Sequence, residues 1–194
     1  MKRLITGVFI LCCFCGNAFA QASGVQLLCR PVHDSILLRW APTGKQGWDL
    51  GNQYGYLVER HTILRNGKLL DKPERTLLTA TPQKPAPLEA WEPYMDDKYV
   101  ATAAQCIFGE AEGLPPVSPV AIAKRYRQEQ NRFSLALYAA DQSVLTARLS
   151  GLYFADRTAA ADEKYLYTVY IPLPDTLPAP DTAFYFTGLS EYRP

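Results

Sequence analysis

Segments with the two-residue alternation of β-strands occur near both ends of this 194-residue chain, and a stretch with helical periodicity separates them. Neither strand group alone supplies enough strands for a closed two-sheet core, whereas together they do. One sandwich interrupted by a helical hairpin is therefore the expected architecture: mainly β with a helical insert, an α+β chain. Tyr56 and Val58 should then neighbour Tyr165 and Val169, despite about a hundred residues between them.

The first strand group runs from Val25 to Arg65 and beyond. Ile36, Leu38 and Trp40 alternate with Leu37 and Arg39 after the turn signal His33-Asp34-Ser35, which predicts a strand with one buried face and Trp40 between the sheets. Pro42 to Asn52 reads as a polar loop containing Trp48. Tyr54 to Arg65 is rich in Tyr, Val, Ile and Thr, with Tyr56, Val58 and Arg60 on one face. Asn66-Gly67 then separates two apolar runs, a strong hairpin signal because both turn residues take positive φ. Strand character returns in Tyr165–Ile171 and again in Ala183–Leu189.

The proline-rich connector Pro82–Pro87 stops any strand. Beyond it Val100, Ala104, Ile107 and Phe108 share a helical face, Asp96 and Asp97 suit its N-terminal dipole, and Gly109 can end it. After a loop at Gly113–Pro119, Ser118-Pro119 reads as a cap followed by proline at the first helical position. Phe133, Leu137, Ala140, Val144 and Ala147 then form a narrow apolar stripe, and Gly151 is a natural stop.

Lys2 and Arg3, the apolar run Leu4–Phe14 and the small-x-small triplet Ala18-Phe19-Ala20 make a cleavable secretory leader, with Gln21 as the expected mature start. The run is too short to span a bilayer, so no transmembrane segment is expected. Cys15 follows Phe14 rather than a small residue, which favours soluble export over lipidation. Loss of the leader leaves 18 Lys and Arg against 19 Asp and Glu. That balance gives no electrostatic reason to expect nucleic acid or anionic lipid. Cys29 and Cys106 remain, either as a disulfide, which an exporting compartment permits, or as buried free thiols.

The strand segments Asp34-Ser-Ile-Leu-Leu-Arg-Trp40-Ala-Pro42 and Tyr54-Gly-Tyr-Leu-Val-Glu-Arg60 resemble the second and third strands of a fibronectin type III domain. Gly151-Leu-Tyr-Phe-Ala-Asp156 and Lys164-Tyr-Leu-Tyr-Thr-Val169 resemble its Tyr-x-Asp turn and sixth strand. The resemblance covers residues 24–80 and 150–192. It implies that Tyr165 is the corner tyrosine, whose hydroxyl ties the sandwich end to the backbone, and that the third and sixth strands are adjacent. Ala159-Ala160-Ala161-Asp162-Glu163 stands where that family carries a Leu-x-Pro-Gly turn, and the helical stretch is foreign to it. The expected division is a leader at 1–20, a fibronectin type III-like sandwich at 21–83 with 151–194, and a helical insertion at 84–150. The combination is similar to large exported bacterial proteins with several such modules, of which this chain would be an N-terminal piece.

Candidate chemistry is sparse. Tyr94-Met95-Asp96-Asp97 spells a polymerase metal signature, but it follows Pro93 and leads into a helix, where the dipole alone explains two acids. His33 and His61 lack ligand-spaced partners. Lys124-Arg125-Tyr126-Arg127 reads as a solvated helix face. No nucleophile elbow is present. The loop aromatics Trp48, Trp91 and Tyr94 either pack the insert onto the sheet or form a ligand platform. The preferred expectation is a non-enzymatic interaction or scaffold module, without cofactor or metal, acting in the periplasm, at the cell surface or outside the cell. Its partner would be a protein or further modules of the same chain. The alternatives are a carbohydrate-binding accessory module and an exported hydrolase, which would need clustered acids with perturbed pKa values.

Overall fold

The computed structural model describes residues 24–109 and 118–193. The leader, its cleavage site and most of the Gly113–Pro119 loop lie outside the described residues. The chain forms two antiparallel sheets with helices. Strands β1 (Val25–Pro31), β2 (Ile36–Pro42) and β5 (Tyr153–Asp156) make the first sheet in the order β1-β2-β5. Strands β3 (Leu57–Arg65), β4 (Lys68–Leu77), β6 (Glu163–Tyr170) and β7 (Ala183–Thr187) make the second in the order β4-β3-β6-β7. The long-range pairing expected from the split strand groups is present: β3 lies beside β6, from Leu57 opposite Tyr170 to Thr62 opposite Tyr165.

Alternation explains which residues meet between the sheets. Ile36, Leu38 and Trp40 from β2 face Tyr56, Val58, Tyr165, Tyr167 and Val169, and all are buried. Trp40 and Tyr56 stack tilted, with ring centroids 5.8 Å apart. At the hairpin, Asn66 (φ 51°) and Gly67 (φ 72°) both occupy the left-handed region, as a tight turn matched to strand twist requires.

Pro42–Asn52 is not a simple loop. Lys45–Tyr54 forms a helix, α1, despite Gly47 and Gly51. Two contacts account for it: Lys45 bonds Asp49 one turn on (2.5 Å), and Trp48 packs on Phe133 with centroids 6.2 Å apart. Tertiary packing here outweighs weak local propensity. Gly51 is required, because a Cβ there would lie 1.9 Å from the Tyr56 hydroxyl.

The remaining helices are α2 (Lys98–Phe108), α3 (Pro119–Gln142) and α4 (Val144–Leu149). Asp97 caps α2, accepting from the Tyr99 and Val100 N–H groups at 2.7 and 3.2 Å. Ser118 caps α3 through the Ala121 N–H at 3.1 Å, with Pro119 at the first position. The stripe expected to run unbroken to Ala147 is interrupted. Ser143 takes an extended conformation (φ −139°, ψ 121°) and caps α4, so Val144 swings out to solvent while Ala140 and Ala147 stay buried.

Cys29 and Cys106 are buried free thiols in separate apolar clusters. Burial pushes the Cys29 thiol up to about 12, and it raises Cys106 too, against the opposing charge of Arg132. Thiolate, not thiol, is the nucleophile. Native protein should therefore resist iodoacetamide at pH 8, and both sites should alkylate in denaturant. Fast native modification of Cys106, read by peptide mass spectrometry, would mean that the helical layer opens.

Candidate binding face

The outer face of the four-stranded sheet presents exposed apolar side chains. On β3 the inward set is Val58, Arg60 and Thr62, which leaves Leu57, Glu59 and His61 outward. The register sets Phe186, Leu166, His61 and Arg75 in one cross-strand row, and Phe184, Thr168, Glu59 and Leu77 in the next. Phe184 is 62% exposed, Phe186 45% and Leu77 48%. Solvated aromatic rings on a sheet offer large apolar area for contact. A separate groove of about 480 Å³ lies on the β1–β2 side, lined by Leu28, Arg39 and Asp141, with Phe184 of β7 at its margin.

Glu59 is the polar centre of the face. Its carboxylate accepts from Arg75 Nε at 2.7 Å, from Arg75 Nη2, and from the Tyr170 hydroxyl at 2.6 Å; His61 Nε2 lies 3.5 Å away. The Arg75 hydrogen bonds hold the carboxyl below its ordinary range against burial, and they raise the Arg75 guanidinium. A carboxylate so occupied is a fixed anchor for Arg75 and Tyr170 rather than a free general base.

A second polar cluster lies between the sheets. Asp156 accepts from Arg60 Nη1 (2.7 Å), from the Tyr167 hydroxyl (2.7 Å), and from the Thr158 N–H and hydroxyl (2.9 and 2.7 Å). Burial raises the Asp156 pKa, but these hydrogen bonds outweigh it and the net shift is downward. The Arg60 guanidinium also lies 4.7 Å from the Tyr165 ring centroid. The Tyr165 hydroxyl accepts from the Ala160 N–H at 2.6 Å, the backbone tie expected of a corner tyrosine.

The three loop aromatics do not form a common platform. Trp48 is buried against Phe133, and Trp91 is buried with its indole N–H donating to the Ala86 carbonyl at 3.0 Å. Only Tyr94 is exposed. Both tryptophans are thus packing residues, because each fills the space between a helix and its neighbour. Tyr94-Met95-Asp96-Asp97 runs from a 3-10 turn into the α2 cap, where Asp97 is used for capping. Among the described residues, no group of three or more His, Cys, Asp or Glu is placed to hold a metal ion. His33 is exposed in the β1–β2 bend, and Lys124 to Arg127 are exposed on α3.

Sequence reasoning placed Ala183–Leu189 as a strand but missed Phe184 and Phe186. Their i, i+2 spacing was the available signal. Comparison with family models, with curated proteins and with solved structures finds no match. Among the described residues, no helix is long and apolar enough to cross a membrane.

Proposed function

We propose that this chain is an exported, non-enzymatic interaction module of the fibronectin type III type, and that a protein partner docks on the outer face of the four-stranded sheet. The fold half of this reading is supported by the adjacency of the third and sixth strands and by the Tyr165 tie to Ala160. The observation that carries the functional half is the exposed pair Phe184 and Phe186, set beside the Glu59–Arg75–Tyr170 anchor. Aromatic residues with a charge-paired arginine are the side chains that dominate binding energy at protein interfaces.

Site-specific photo-cross-linking in exporting cells tests it. A photoreactive residue at 184 or 186 should trap one discrete protein species, and the same residue at exposed position 124 on α3 should not. Equal trapping at all three positions, or none at 184 and 186, would remove the proposed face.

A further inference from the structure

A cleft of about 500 Å³ lies between α1, the connector at Lys84-Pro85, the last turn of α2 and the middle of α3. That volume lies within the range of small-molecule sites, roughly 300–1,000 Å³. Asp49, Asn52 and Gln53 line it from α1, at spacings that put them on one helix face. Glu129 and Arg132 line it from α3, and Phe108, itself 39% exposed, supplies an aromatic wall.

Both carboxylates and the guanidinium in this cleft are already paired, and only the Lys84 ammonium is not. Lys45 reaches Asp49 at 2.5 Å and Glu129 at 3.2 Å. Arg132 donates to the Cys106 and Gly109 carbonyls at 3.0 and 2.8 Å, occupying acceptors at the end of α2. Among the described residues, the side chains of Asn52, Gln53 and Lys84 have no polar partner. The groups left to a ligand are therefore two carboxamides, each able to donate and accept, and one ammonium donor.

We propose that this cleft binds a sugar, a mono- or disaccharide whose hydroxyls pair with the Asn52 and Gln53 carboxamides and whose apolar ring face meets Phe108. Each hydroxyl both donates and accepts, which matches a carboxamide. A zwitterionic peptide would instead need a free carboxylate for its ammonium group, and Lys45 holds both of the acids. The site is separate from the protein-binding face and does not depend on it.

The test is titration of the isotope-labelled exported protein with glucose, galactose, N-acetylglucosamine, maltose and cellobiose, following the side-chain amide signals of Asn52 and Gln53. Glycylglycine is the contrasting probe. At least one sugar should move both signals saturably. The double variant Asn52→Ala with Gln53→Ala should weaken that binding by about tenfold or more, the scale of two lost hydrogen bonds. Lys72→Ala should leave it unchanged. Neither Asn52 nor Gln53 is buried, so the double variant should fold, and circular dichroism checks that it does. The proposal is overturned if no sugar of the panel moves these signals at tens of millimolar, if glycylglycine moves them instead, or if the double variant binds as tightly as the parent.

Discussion

Replacing Asp156 with alanine should destabilise the protein by about 3–5 kcal/mol, the cost of breaking a buried ion pair from one side. Asp156 is 1% exposed, and its loss leaves the Arg60 guanidinium and the Tyr167 hydroxyl buried without their acceptor. Arg60 Nε already lacks a hydrogen-bond partner, so the cation keeps only the neutral Thr158 hydroxyl at 2.9 Å and the Tyr165 ring face, neither of which carries a compensating charge. The pH dependence follows from the sign of the shift. The folded-state pKa of Asp156 is depressed, so its stabilising contribution is complete above the unfolded value near 4 and is lost as pH falls through the folded one. Glu59 and Glu163 shift in the same direction, through Arg75 and Arg65. Urea melts should therefore show flat stability from neutral pH to about 5, then a decline. In Asp156→Ala that decline should be shallower. A loss below about 1 kcal/mol at pH 7 would mean that water reaches the pair.

What was legible in the sequence was whatever a local pattern decides. Asn66-Gly67 imposes its turn by backbone sterics alone, and the alternation of Ile36, Leu38 and Trp40 identifies a buried face without reference to any neighbour. The β3–β6 pairing was legible for a different reason, since strand groups too small to close separately must meet. The α1 helix was not legible, because its stability comes from Phe133, some eighty residues away. Nor was the Glu59 anchor. Counting from the tight turn pairs Arg65 with Lys68 and would set Glu59 opposite Glu74, a like-charge clash. The strand pair shifts register between Thr62 and Leu64, so that Leu77 stands opposite Glu59 and Arg75 opposite His61. A β-irregularity of this kind is a tertiary outcome, and it creates the polar centre of the proposed binding face.

Trp91→Ala should cost about 3–5 kcal/mol as well, and it should do so for the whole protein at once. Trp91 is fully buried in a cluster with Val100, Ala103, Ala104 and Ala139. Its neighbours are mostly alanines, whose short side chains cannot move in to fill the void, so the cavity term is retained. The Ala86 carbonyl also loses the indole N–H. Whether the helices melt separately depends on α3. Its consecutive inward turns supply Ala136 to the cluster of Trp48 and Cys106, Ala139 to that of Trp91, and Ala140 to the sandwich core. Arg39 of β2 reinforces the last junction by donating to the Ala140 carbonyl at 2.8 Å. A rigid helix shared by three clusters couples them, because none can loosen without displacing it. Trp91→Ala should therefore shift one cooperative transition, with the helical far-ultraviolet signal and the fluorescence of Trp40 and Trp48 changing together. If the helical signal is lost first while Trp40 stays buried, the helices are an independent unit and α3 does not join them to the sandwich.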